Sequence, residues 1–436
     1  MAHPTMMLTS TLSFAFLLSL PLLLSAAPLE LSLDRPDGVY QKGETVALTI
    51  TVDSGHSAPL QLKIQKENQE VVDQRIPLPP GLATHTFEYT FRDTGSVIFQ
   101  ANRGGDADSI GIVVSPHELR PGSPRPQDFD TYWKKQKALA RKLPLKVTQT
   151  AIESDAAPSG FRAFDVEVNA PGPQPLRAIF AKPQNAADRS LPIVIQYRAA
   201  GVKGEWCRAK TQDALALAQR GNGALALDTN AHGMLNHEDE AYYEDLQDGP
   251  LKNYWDQGNS DRDDFYFRFM YLRLLRSIEF MTQQPEWDGK RILVIGESQG
   301  GGQALAAVGL DPRVSAAVAT VPAMCDWGGP LAGRKGGWPQ PIDWNPEQPA
   351  VHQAVPYFDA AHLLKGSQAT LWVEIGLIDE TCPSTSIYAA INQAGGEVIS
   401  HPVPYRAHGW PAGEERAHWD ATTHAAKNDF IDDYLK

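Results

Sequence analysis

The chain has 436 residues, which suits two ordinary domains better than one. With 42% hydrophobic and 21% charged residues it has the composition of a folded globular protein. Against 39 Lys and Arg stand 52 Asp and Glu, a net charge of −13, which disfavours nucleic acid or an anionic membrane surface as a partner.

Residues 1–27 hold an apolar run from Leu12 to Leu24, closed by Ser25, Ala26 and Ala27. This reads as a secretory signal peptide cleaved near Ala26 or Ala27, so the expected location is secreted or periplasmic. An uncleaved anchor is the alternative, but Pro21 and the shortness of the run disfavour a full span. No stable membrane insertion is expected after cleavage.

Residues 29–115 show short alternating apolar and polar runs at 46–52, 60–64, 85–91 and 96–101, separated by turn residues. About seven short strands without helical periodicity suggest an immunoglobulin-like β-sandwich. It holds no constellation able to do chemistry. A structural or spacing module is the plain reading and carbohydrate binding the livelier one, although alternation turns most of Tyr40, Phe87, Tyr89 and Phe91 inward. Residues 116–125, rich in Pro and Gly, read as a linker.

From 126 to 436 the pattern changes. A helix is expected at 129–141, paired strands at 163–168 and 176–181, and a buried strand at 191–197. A helix at 212–220, a strand at 223–228 and a long helix at 264–281 follow. Later strands are expected at 314–320, 370–375 and 397–403. Short apolar strands alternating with helices imply an α/β fold with a mostly parallel sheet covered on both faces.

Within this pattern, Ile292-Leu-Val-Ile295 runs into Gly296-Glu297-Ser298-Gln299-Gly300 and then into a small-residue helix. Strand, sharp turn and helix with Gly-x-Ser-x-Gly at the corner form the nucleophile elbow of an α/β-hydrolase fold. Glycines suit the elbow because side chains there would collide with strand or helix. A serine hydroxyl needs a base, and the base needs an acid, in the chain order Ser, Asp or Glu, His. Asp379 follows the strand at 370–375, with Glu380 as its neighbouring rival. His408 follows the strand at 397–403. His401 lies inside that strand, and His418 and His424 read as surface residues. Backbone N–H groups of Gln299 and Tyr197 would form the oxyanion hole. Cys207, Cys325 and Cys382 allow one disulfide at most, and no CxxC or HExxH spacing supports a metal or cofactor.

Several longer runs resemble the acetyl xylan esterase and cephalosporin C deacetylase family. They are Ser298-Gln-Gly-Gly-Gly302, Leu310-Asp-Pro-Arg-Val314, Val321-Pro-Ala-Met-Cys-Asp326 and Gly376-Leu-Ile-Asp-Glu-Thr-Cys-Pro383, with the helix from Phe265 and the entry Pro126-Gln-Asp-Phe129. The resemblance implies removal of acetyl groups from sugars by a metal-free triad of Ser298, Asp379 and His408, with Tyr197 and Gln299 at the oxyanion. The chain departs from the family at Asp228-Thr-Asn-Ala-His-Gly233, where Arg-Gly-Gln is usual, and at Gly409 and Trp410, where glutamate usually follows the histidine. The expected substrate is acetylated xylan or its oligosaccharides, with Trp206, Trp255, Trp327, Trp338 and Trp410 as candidate sugar-stacking residues. A prolyl-oligopeptidase-type serine peptidase and a non-catalytic glycan-binding surface protein are the alternatives. Oligomeric state is left open.

Overall fold

The computed structural model describes residues 29–52, 58–67, 69–76, 84–153 and 158–436. The expected signal peptide and the turns at 53–55 and 79–81 lie outside them. Eight strands come first: β1 (Leu29–Leu33), β2 (Val39–Tyr40), β3 (Thr45–Val52), β4 (Leu60–Lys66), β5 (Gln69–Ile76), β6 (Thr84–Thr90), β7 (Gly95–Arg103) and β8 (Asp106–Val114). They form a three-stranded sheet, β1-β3-β6, and a five-stranded sheet, β2-β8-β7-β4-β5. Strict alternation in β3 sends Val46, Leu48, Ile50 and Val52 inward, where they meet Leu60, Leu62, Ile64 and Phe99 of the other sheet. The count exceeds the expected seven because β2, two residues long, is too short to leave an alternating trace. Tyr40 and Phe91 are buried in this core, and Phe87 and Tyr89 pack against it.

The rest of the chain builds one nine-stranded sheet. Its strands and helices in chain order are α1 (Phe129–Lys142), β9 (Val147–Ile152), β10 (Phe161–Val168), β11 (Leu176–Pro183), β12 (Leu191–Tyr197), α2 (Thr211–Ala218) and β13 (Leu225–Thr229). Then follow α3 (Glu240–Asp248), α4 (Tyr266–Thr282), β14 (Trp287–Glu297), α5 (Gln299–Leu310) and β15 (Ala316–Thr320). Three short helices, α6 (Pro341–Trp344), α7 (Pro349–Ala354) and α8 (Ala360–Leu363), precede β16 (Thr370–Gly376) and α9 (Ser384–Ile391). Last come β17 (Val398–Val403), α10 (Gly413–Trp419) and α11 (Ala425–Leu435).

The sheet order is β17-β16-β15-β14-β12-β13-β11-β10-β9. The six strands from β17 to β13 run parallel, and β11, β10 and β9 continue antiparallel. β12, β13, β15 and β16 are buried almost throughout, because helices cover both faces and no position can be polar by default. One face packs under α4 and α5 and the other under α2 and α11. This is an α/β-hydrolase fold with a mostly parallel central sheet, preceded by an all-β region. The expected strand at 314–320 begins only at Ala316, since Val314 closes a turn on Asp311.

The segment expected as a linker is tied down. Asn392 donates to the carbonyls of Pro116 and Leu119, and the Gly122 N–H donates to Asp326 at 2.7 Å. All three cysteines are buried and free. Among the described residues no helix is long and apolar enough to cross a membrane.

Candidate active site

The parallel strands deliver their C-terminal ends to one edge of the sheet, and three loops there converge. β14 ends at Glu297 and α5 begins at Gln299, leaving Ser298 alone at the corner with φ 55° and ψ −122°. A non-glycine residue holds that strained backbone only where its surroundings fix it. Here the Ser298 N–H donates to Thr320 O at 2.9 Å, and Ser298 O accepts from Gly302 and Ala323. The glycines are close-approach positions. A Cβ on Gly296 would lie 2.2 Å from Gly300 C, and one on Gly300 would lie 2.1 Å from Tyr197 O.

His408 sits in the loop after β17. Its Nε2 lies 2.9 Å from Ser298 Oγ and its Nδ1 lies 2.8 Å from Asp379 Oδ2. The second carboxylate oxygen of Asp379 accepts the backbone N–H groups of Thr381 and Cys382, each at 2.8 Å. Those two bonds hold the acid in one orientation. Glu380, the rival acid, is exposed. Asp379, Cys382 and His408 each offer one donor atom within 4.8 Å of the others. Burial pushes the Cys382 thiol well above its ordinary pKa.

Gln299 carries the first N–H of α5, which has no intrahelical acceptor and sits at the positive end of the helix. Tyr197 ends β12, and its peptide lies beside this helix start. Its ring is turned into the core, with the hydroxyl 3.1 Å from Ser277 Oγ, so any role at the reacting carbon would fall to its backbone.

Ser298 and His408 open into a cavity of about 960 Å³. Trp206 and Trp410 stand on its rim, 63% and 59% exposed. The Trp206 indole donates to Ala200 O and its ring packs on Gly204, while the Trp410 indole donates to Glu297 at 2.9 Å and the Arg416 guanidinium lies over its ring, so both side chains are held in place. The cavity continues down the sheet to Ile295 and Val318, with Ile431 and Lys427 of α11 opposite.

The other candidate tryptophans are elsewhere. Trp327 is 1% exposed and packed among Phe265 and Phe267, which corrects its expected sugar-stacking role: no face is left for a ligand. Trp255 and Trp338 are half-buried against each other and against Tyr254, away from the Ser298 cavity. His401 stacks on Trp372, and His424 stacks on Trp419 at 4.8 Å rather than standing free at the surface.

Behind the site lies a buried charge network that motif reasoning passed over. Arg406 is fully buried, donates to Glu297 at 2.9 Å, and places Nη1 2.8 Å from Glu374, a contact too bent for a good hydrogen bond. Trp419 donates to the same Glu374 oxygen at 2.8 Å. Burial still holds the Glu374 carboxyl above its ordinary pKa, despite Arg406. Glu297 is the first variable residue of the Gly-x-Ser-x-Gly motif, and Arg406 lies two residues before His408. A charged residue inside the apolar run of β16 was the available signal.

A second buried group lies under the start of α5. Tyr254 donates to Gln299 Oε1 at 2.6 Å, and His232 bridges Tyr266 and the carbonyl of Gly201 at 2.8 and 2.9 Å. Burial pushes the His232 pKa down to about 3, with Arg273 adding to the effect.

Residues 115–332 match the model of the acetyl xylan esterase family. The acetyl esterase Axe7A of Xylanibacter ruminicola is 31% identical over 313 residues, covering 70% of this chain and 68% of that protein. An acetyl xylan esterase from a Paenibacillus species superimposes with a TM-score of 0.61 at 24% identity, over 73% of this chain and 98% of its own. Acetyl xylan esterase 1 from a Thermoanaerobacterium species gives 0.58 at 22% identity, over 74% and 98%.

Two outcomes follow from the geometry. Gly300→Ala drives a methyl into the Tyr197 carbonyl and will abolish ester hydrolysis or folding, read from acetate release and a thermal melt. His232 and His362 fold neutral, with pKa values near 3 and 4 against 6.5 in an unfolded chain. At these two sites the unfolded state therefore binds more protons in that window, so their contribution to stability is fullest above pH 6.5 and falls as pH drops toward 4. Each histidine contributes about 1.4 kcal/mol per pH unit across its own window. Because buried carboxyls such as Asp359 and Asp228 are shifted upward and act in the opposite direction, the check is a difference: urea melts at pH 7 and pH 5 of wild type and His232→Asn will differ by one histidine's share of the slope.

Proposed function

The chain belongs to the acetyl xylan esterase family, and from that premise we propose that it deacetylates carbohydrate through Ser298, His408 and Asp379. It is a serine carboxylic-ester hydrolase of the acetyl xylan esterase type. The finer reading names acetylated xylan or its oligosaccharides as the substrate and an exported location for the mature chain. The observation that carries the triad is the unbroken line from Ser298 Oγ through both nitrogens of His408 to Asp379, with contacts of 2.9 and 2.8 Å.

In this reading His408 Nε2 takes the proton as Ser298 Oγ attacks the acetyl carbonyl carbon. Asp379 keeps the Nδ1 proton in place and stabilises the imidazolium. The negative charge that develops on the carbonyl oxygen is met by the N–H of Gln299 at the head of α5 and by the Tyr197 backbone. When the tetrahedral intermediate collapses, the C–O bond to the sugar breaks and His408 returns its proton to the leaving alkoxide. Water, deprotonated by the same histidine, then attacks the acetyl-enzyme and releases acetate. Trp206 and Trp410 place exposed aromatic surface at the cavity rim, of the kind against which sugar rings pack. Gly409 and Trp410 after the histidine place an aromatic wall there, tethered to Glu297.

Acetate release from p-nitrophenyl acetate and acetylated xylooligosaccharides tests the reading. Wild type will release acetate from both, and Ser298→Ala will not. Asp379→Asn will lower kcat by about 10³- to 10⁴-fold, whereas Glu380→Gln will stay near wild type. Retained activity in Ser298→Ala, or cleavage of proline peptides without acetate release, would overturn it.

A further inference from the structure

The all-β region meets the rest of the chain at the two loops that carry Asp379 and His408. On the loop side, Leu377 follows the last residue of β16 and Pro404 follows the last residue of β17. The loops are stitched to one another: Leu377 N–H donates to Val403 O at 3.0 Å, and Ile378 N–H donates to Arg406 O at 3.2 Å. Gly376 allows this, since a Cβ there would lie 2.5 Å from Arg406 O. Asp379 comes one residue after the first loop's bond, and His408 two residues after the second's.

On the other side stand Gly111 of β8 and Gly38, just before β2. The Gly111 N–H donates to Pro404 O at 2.8 Å, a backbone bond between the two regions. A Cβ on Gly111 would lie 2.2 Å from Leu377 O and 2.5 Å from Leu377 C. A Cβ on Gly38 would lie 2.8 Å from Leu377 Cδ1 and 3.1 Å from Pro404 Cγ. At Gly111 the approach is backbone to backbone, so side-chain rotation cannot absorb a shift there, whereas Gly38 meets the side chains of Leu377 and Pro404. A third contact joins Thr385, in the first turn of α9 after the acid loop, to Glu67 at 3.3 Å. Glu67 is itself fixed by the Ser96 N–H at 2.7 Å.

We propose that the N-terminal β region is a positioning part of the catalytic apparatus, whose Gly111 and Gly38 hold the acid loop and the histidine loop at their mutual spacing. The inference rests on the triad reading above. It assigns the region a role other than gripping glycan. Among its described aromatic side chains Tyr40, Phe91 and Phe99 are buried, and Phe87 and Tyr89 lie half-covered against the same core. A β-strand edge that touches both triad loops also explains why residues 116–125 are pinned rather than loose. A free tether would let this contact come and go.

The test uses the full chain. Gly111→Ala pushes a methyl onto the Leu377 peptide and so displaces the acid loop. The expected result is a fall in kcat of about 10- to 100-fold with KM within twofold, since a displacement of the order of 1 Å has that cost. The loss will be the same on p-nitrophenyl acetate and on acetylated xylooligosaccharides, and labelling of Ser298 by a fluorophosphonate will slow in parallel. Glu88→Ala, exposed on β6 in the far sheet, will leave all three unchanged. Gly38→Asn keeps a residue tolerant of positive φ and presses on the same two loops. It decides the matter by the same readouts should Gly111→Ala not fold. A folded variant of either kind with wild-type kcat overturns the proposal. So does a loss confined to KM on the oligosaccharide, which would make the region a carbohydrate tether. Asp379→Asn in the same assay keeps the underlying reading separate: if that variant is fully active, the triad assignment fails, whatever Gly111→Ala does.

Discussion

The site depends on how closely α5 approaches the sheet. Gly296 and Gly300 let the elbow fold so tightly that a single methyl on either would overlap backbone of the facing segment. That closeness forces Ser298 into a positive-φ conformation, and the bonds to Thr320, Gly302 and Ala323 keep it there. The same approach sets the free N–H of Gln299 beside the end of β12. The position of the Ser298 hydroxyl and that of the Gln299 N–H are thus products of one steric constraint.

The charges behind the site serve a different purpose. Arg406 and Glu374 are costly to remove from water, and an ion pair buried this way is weak evidence of net stability. What it supplies is registry. Arg406 lies on the histidine loop, Glu297 on the elbow and Glu374 on β16, so one guanidinium ties three segments of the site together. Trp410 joins the same anchor through Glu297, which couples the cavity rim to the elbow. On the other side of α5, Tyr254 reaches the Gln299 side chain, and His232 fixes the loop after β12 by its bond to Gly201. His232 belongs to the segment where the chain departs from the usual family pattern, so that departure is filled by a local hydrogen-bonded group rather than left as a gap.

The two regions of the chain are joined by the same means that shape the elbow, glycines that admit a close approach. Gly111 and Gly38 bring the β region onto the loops after β16 and β17. A second body placed against them restricts their motion where a triad requires fixed distances.

The sequence by itself determined the chemistry-bearing core. Periodicity located the parallel strands within a few residues, because strands buried on both faces are continuously apolar and flanked by polar turns. The elbow was legible because glycine, serine and glycine at that spacing follow from local sterics. Asp379 and His408 were legible as an acid and a histidine in the loops after two later strands. Only the tertiary structure decided between neighbours and between surfaces. Asp379 faces His408 and Glu380 does not, and adjacent residues on a loop differ only in which way the chain turns. Trp327 went to the core while Trp206 and Trp410 stayed on the rim, since loop aromatics carry no periodic signal of burial. Arg406, Glu297 and Glu374 meet across three separate segments, and Gly111 meets Leu377 across 266 residues of chain (377 − 111). Such contacts depend on how elements pack in space, which no local pattern of residues encodes.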